Sequence, residues 1–229
     1  MDVRKFKADL YGLANRACKD DDEQTLAKVF SVADILVGLY RKNLVKINHS
    51  ALELVCARGL IKHGYDVRVE HRLDTRLVCD VYGKRGDGVL VVEIETGFIP
   101  PEAALEPMVY ARARVASKIA RYSKFAGRFA LGTTPSYVID FSPFFVKPPR
   151  FRSSEEAAEL KKLTDRYYDK PAISLQEFLY SRIHSIFVID VDNADMVEVD
   201  PDTYLQNAFS FLRGGPVARE PTGEGKAPD

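Results

Sequence analysis

The chain has 229 residues, 46 % of them hydrophobic, and its 33 Lys and Arg are matched by 33 Asp and Glu. That length fits one large domain or one domain with an appendage, and the apolar content excludes wholesale disorder. Zero net charge excludes a protein that coats nucleic acid through bulk charge, but leaves room for a local basic groove. No apolar run approaches the ~18 residues of a membrane span. The opening MDVRKFKADL lacks the apolar stretch of a signal peptide. Cys18, Cys56 and Cys79 have no metal-knuckle spacing, and Cys56 and Cys79 lie in apolar runs. They read as packed thiols in a reducing cytoplasm, so a cytoplasmic protein without membrane partners is expected.

Residues 1–48 read as two helices. Phe6, Leu10, Leu13 and Ala17 recur at helical spacing, the acidic run Asp20–Glu23 interrupts, and Leu26, Phe30, Ala33, Val37 and Tyr40 form a second stripe. A pair packing on the core or on a second subunit is expected. Ser50 reads as the N-cap of a third helix, Ala51–Lys62, which Gly64 stops. Val67 and Val69 then alternate with polar residues as a strand does.

The run Arg76–Gly97, RLVCDVYGKRGDGVLVVEIETG, reads as strands Leu77–Tyr82 and Val89–Thr96 joined by the turn Gly83–Gly88. Each places acids inside an apolar run: Asp80 in the first, Glu93 and Glu95 in the second. An ionised carboxylate in a buried strand costs several kcal/mol unless a cation or donor compensates. A divalent metal is the common explanation. Glu93 and Glu95, two apart, share a face. Asp80 joins them if the strands pair around Arg85 and Gly86, which sets it opposite Val91; a bulge would reverse this. Exposed acids on an edge strand are the alternative, though VLVVEIE is very apolar for one.

After Pro100–Pro101 a long helix runs to about Phe125, starting near Glu102 or at Pro107. From Pro107 to Ile139 there is no acid but six bases, Arg112, Arg114, Lys118, Arg121, Lys124 and Arg128. Arg114, Lys118 and Arg121 line one face. Arg128–Thr133 reads as a strand reached by a βαβ-like crossover. Thr134–Phe151 is a loop rich in aromatics and prolines, suited to packing, an interface or base stacking. A helix capped by Ser153 or Ser154, a capping box at Ser174–Glu177, a buried strand Ile186–Val191, acidic turns and a helix near Asp202–Leu212 follow. The tail from Gly214 reads as disordered. His49, His63, His71 and His184 show neither HxH nor HExxH spacing, which argues against zinc. His63 reads as a helix C-terminal residue, and His71 is a candidate neighbour of the acids.

An acid on a helix (Glu53), a strand opened by Gly64–Tyr65, Asp80 on the next strand and Glu93–Ile94–Glu95 on the third occur in that order. The arrangement resembles the PD-(D/E)XK nuclease superfamily, in particular the archaeal Holliday-junction resolvases and related small nucleases, over about Asn48–Thr134. The resemblance implies an α/β protein with a restriction-endonuclease-like mixed β-sheet flanked by helices. Residues 49–135 would form that core, 1–48 a helical segment, 136–213 an α/β extension packing on the core, and 214–229 the disordered tail. It also implies a metal-dependent DNA endonuclease. Asp80, Glu93 and the Ile94 carbonyl would ligate Mg²⁺ (or Mn²⁺), with Glu53 completing the site. The family's usual Lys is replaced by Glu95, which would act as general base unless Lys118 reaches in from the following helix. Cys79 precedes Asp80 where the family has Pro.

Such a site supplies what phosphodiester hydrolysis requires, an activated water and neutralised phosphoryl oxygens. Arg112, Arg114, Lys118, Arg121 and Lys124 would hold the backbone of duplex or branched DNA beside it, and the family pattern implies a homodimer. Two alternatives stay open: a nuclease fold that binds DNA or assembles without cutting, and a soluble α/β interaction protein whose acids are structural.

Overall fold

The computed structural model describes residues 2–212, with side chains through Ala208. The tail 214–229 lies outside the described residues. Three helices come first, α1 (Val3–Ala17), α2 (Glu23–Arg41) and α3 (Ile47–Lys62), and then strands β1 (Asp66–Arg72), β2 (Val78–Arg85) and β3 (Gly88–Glu95). Helix α4 (Pro107–Tyr122) leads to β4 (Arg128–Thr133), and α5 (Ser154–Asp165) and α6 (Leu175–Tyr180) to β5 (Ser185–Asp190), β6 (Asp195–Val199) and α7 (Pro201–Leu212). Among the described residues no helix is long and apolar enough to cross a membrane.

The strands form one six-stranded mixed sheet in sequence order. β1, β2 and β3 are antiparallel, β3, β4 and β5 parallel, and β6 antiparallel at the far edge. Helix α4 makes the expected crossover between β3 and β4. The sheet does not end near residue 135, because β5 pairs with β4. The stretch after Val191, expected as acidic turns, contains β6. Its Asp195 and Glu198 obscure the strand pattern, and charge is tolerated there because β6 is an edge.

Helices α1–α3 cover one face of the sheet, while α4–α7 and the loop after β4 cover the other. In α3, Leu54, Val55, Cys56 and Ala57 are all fully buried. A helix apolar on every side is an interior helix. Asp21, in the α1–α2 turn, locks it in place: Arg58 Nε and Nη2 donate to the two Asp21 oxygens at 2.8 and 2.9 Å, and Lys62 Nζ lies 3.1 Å away.

Helix α3 starts earlier than expected. Lys46 is its N-cap, without a side-chain cap bond, and Ser50 is buried inside the helix rather than capping it. The extra turn brings His49 onto the helix. At the other end Gly64, at φ +80°, turns the chain into β1, and His63 Nδ1 lies 2.7 Å from the Gly59 carbonyl oxygen.

Helix α4 begins at Pro107; the residues Pro101–Ala103 make only a 3₁₀ turn. The aromatic loop packs inward, with Phe141, Phe144 and Phe145 buried. Arg152 ties it down by donating to the carbonyls of Phe145, Lys147, Phe178, Leu179 and Ser181. Those rings are therefore core, not a base-stacking platform.

A candidate metal centre between two helices

The β2–β3 turn is tighter than expected. Arg85 pairs with Gly88, so only Gly86 and Asp87 turn the chain, with Gly86 at φ +58°. Extending that register sets Asp80 level with Glu93 rather than Val91. The shift is two residues, so Asp80 still meets the acids of β3.

The regular ladder stops at Val81–Val92. Beyond it, carboxylates bridge the strands: the Ile94 N–H donates to Asp80 Oδ2 at 2.5 Å, and the Asp80 N–H to Glu93 Oε1 at 3.3 Å. A second irregularity lies on β1. Val69 pairs with Val81 and His71 with Cys79, leaving Glu70 level with Asp80 at φ +47°. Here the strands exchange faces. Val69 and Val81 pack in the core under α1–α3, whereas Cys79 packs in the core under α4. Strict alternation would keep residues 79 and 81 on one side. The sheet is thus opened at the Glu70–Asp80 rung, and groups from both covering layers reach it.

From α3 come His49 and Glu53, one helical turn apart. His49 Nε2 lies 3.1 Å from Asp80 Oδ1 and 3.5 Å from Glu53 Oε1, and the three side chains offer ligand atoms within 4.8 Å of one another. Glu53 is 0 % exposed, and neither of its oxygens accepts a hydrogen bond. Burial, then the neighbouring Asp80 and Glu70, push its carboxyl up to about 10. Burial and Asp80 likewise raise Glu70. Asp80 is different: burial favours its neutral form, but Lys118, His49 and the Ile94 N–H outweigh that and hold it below the usual carboxylate range.

From α4 come Lys118 and Arg114. Lys118 Nζ sits 3.2 Å from Glu93 Oε2, 2.9 Å from Glu95 Oε1 and 3.0 Å from the Ile94 carbonyl oxygen, to which it donates. Arg114 Nη2 lies 2.8 Å from Glu95 Oε2. Burial acts to lower the Lys118 ammonium, but Glu93, Asp80 and Glu95 raise it on balance. Glu93 is raised well above its ordinary value, by burial and then Asp80, against the pull of Lys118.

The residues singled out from sequence therefore come together, but in two groups. Glu53 and Asp80 face His49. Glu93, Glu95 and the Ile94 carbonyl face Lys118, so Glu93 and Ile94 are occupied by an ammonium rather than grouped with the other metal-ligating atoms. The basic stripe is engaged within the chain, although Arg112 and Lys124 are exposed. Arg112 pairs with Asp140, Arg114 with Glu95, and Lys124 with Glu177, while Arg121 donates to the carbonyls of Tyr168 and Pro171. His71 packs at a tilt against Tyr82, with ring centroids 4.4 Å apart, and is not among the clustered ligands.

Sequence reasoning missed His49 and Glu70. The signal for His49 was its spacing of four from Glu53, hidden by the expected cap at Ser50. Glu70 carried none, because its backbone conformation is set by the strands around it.

No family model matches this chain, and no curated protein does. Among solved structures it is similar to a protein of unknown function from Silicibacter pomeroyi, with a TM-score of 0.35 and 15 % identity over 76 % of this chain and 92 % of that one.

Proposed function

We propose that this chain is a divalent-metal-dependent DNA endonuclease of the restriction-endonuclease-like, PD-(D/E)XK kind. One observation carries the reading: Glu53 is wholly buried with neither oxygen hydrogen-bonded, beside Asp80 and His49. An unsatisfied buried polar group costs about 1–3 kcal/mol and an ionised one more; a bound cation removes that cost. Two carboxylates and an imidazole suit Mn²⁺ at least as well as Mg²⁺. When bound, such an ion neutralises phosphoryl oxygens and acidifies a water.

The chain's own groups divide the remaining work. Glu53, Asp80 and His49 hold the ion. Lys118, its proton held by three acids, is a charge-stabilising ammonium rather than a base. Glu95, within reach of Lys118 and Arg114, is the base that stands in the position of the family's Lys. Arg112, Arg114, Arg121 and Lys124 contact DNA only by exchanging their present partners for phosphates. A homodimer would offer one such site to each strand of a duplex.

A second reading, DNA binding without cleavage, is favoured by the Lys118 ammonium being shared already among Glu93, Glu95 and Ile94. The test is cleavage of labelled duplex, single-stranded, flap and four-way-junction DNA with Mg²⁺, Mn²⁺ or EDTA. Wild type is compared with Glu53→Gln and Glu93→Ala. Cutting that needs metal and disappears in both variants is expected. Cutting unaffected by EDTA or by Glu53→Gln refutes the proposal, and salt-sensitive binding without cutting selects the second reading.

A further inference from the structure

Glu70 belongs to no part of the set read from sequence and is absent from the His49–Glu53–Asp80 grouping. Its position is nevertheless unusual. Strand β1 runs from Asp66 to Arg72, and in the middle of it Glu70 adopts φ +47°. A non-glycine residue in the left-handed region is uncommon, and Asn, Asp and Gly are the usual occupants. Backbone strain at such a point persists only where the surroundings impose it.

The consequence is a change of direction. Val69 packs toward α1–α3, so an unbroken strand would turn Glu70 to the opposite face, toward α4. Instead the rung sets Glu70 level with Asp80, whose carboxylate reaches His49 on α3 at 3.1 Å, and level residues on paired strands share a face. Grouped with Asp80 and His49 is Glu53, the buried acid whose oxygens accept no hydrogen bond.

Resting on the metal-site reading above, we propose that Glu70 is a fourth protein ligand of that centre, delivered by the left-handed turn of β1. The centre then has one imidazole from His49 and three carboxylates, from Glu53, Glu70 and Asp80. Four protein donors on two strands and one helix clamp a divalent ion across the opened rung. Oxygen donors in that number with one nitrogen favour Mn²⁺ over Mg²⁺, which keeps most of its water and is bound through one or two carboxylates.

The test is Mn²⁺ titration of the full chain followed by electron paramagnetic resonance of the free ion, with thermal unfolding of the metal-free protein in parallel. Neither readout requires turnover. Four proteins are compared: wild type, Glu70→Gln, Glu70→Gly and Glu53→Gln. Glu70→Gln keeps the size of the side chain, and Glu70→Gly removes the backbone strain along with the carboxylate. Both are expected to weaken Mn²⁺ binding at least about tenfold. Metal-free Glu70→Gly is expected to melt at or above the wild-type temperature, which separates lost ligation from lost folding. Wild-type affinity in Glu70→Gln and Glu70→Gly, with binding lost in Glu53→Gln, overturns the role of Glu70 and leaves the metal site standing. No Mn²⁺ binding by wild type overturns the metal site itself, and this inference with it.

Discussion

Lys118→Met is the most direct probe of how the acidic rung is held together without metal. Methionine keeps much of the length and apolar stem of lysine but removes the ammonium that lies 3.2 Å from Glu93 and 2.9 Å from Glu95. Both acids are nearly inaccessible, at 2 % and 3 % exposure, so water compensates them poorly. The site instead recovers neutrality by keeping a proton on a carboxyl that is ionised in the wild type. For an unfolded-state carboxyl near 4, holding that proton at pH 7.5 costs about 4–5 kcal/mol, at 1.36 kcal/mol per pH unit. That agrees with the roughly 3–5 kcal/mol seen when one partner of a buried pair is removed. The sign with pH follows. The proton becomes easier to hold as pH falls, so the loss shrinks to about 2 kcal/mol at pH 5.5. Urea unfolding of both proteins at the two pH values, in EDTA, measures the difference. A loss below about 1 kcal/mol at pH 7.5, or one equal at both pH values, refutes the assignment of Lys118 as internal counter-ion.

The remaining predictions concern the supports of the site. Asp21 is held below the usual carboxylate range chiefly by its hydrogen bond from Arg58, then by Lys62. Its stabilisation is present above its unfolded value near 4 and is lost as pH falls through its lower folded value. Asp21→Asn should therefore destabilise at pH 7, by about 2–3 kcal/mol, and progressively less as pH falls below about 4, as measured by unfolding across that range. Gly97, just past β3, has φ +76°, and a Cβ there would lie 2.5 Å from the Tyr137 ring. Gly97→Ala should cost about 2–3 kcal/mol in the same assay, combining an unfavourable φ with the displaced ring. Mn²⁺ at a hundredfold excess over its dissociation constant should stabilise the wild type by about 2.7 kcal/mol. Unchanged melting of Glu53→Gln under the same titration is the matched control.

Much of this arrangement was legible in the chain itself. Apolar runs carrying Asp80, Glu93 and Glu95 announced buried acids, because composition around an acid reports burial better than the acid does. Helical periodicity located α1, α2 and α4, and the length between β3 and β4 required a crossover helix and parallel strands. The capping box at Ser174 fixed one helix start because it is a local hydrogen-bond pattern, and of the two caps open for α5, Ser153 or Ser154, the structure uses Ser153.

What sequence left undecided depended on contacts between distant segments. The polarity of the α4 stripe is written in Arg112, Arg114, Lys118, Arg121 and Lys124, but its direction is not. The same bases could face DNA or, as the structure has them, partners as far apart as Glu95, Tyr168 and Glu177. Helix α3 begins a turn before its apparent cap because burial of Ser50 and its neighbours outweighs a local capping preference, and only that turn aligns His49 with Glu53. The left-handed Glu70 has no local cause at all: it exists because β1 and β2 change faces together at one rung, a property of paired strands that neither strand can express alone.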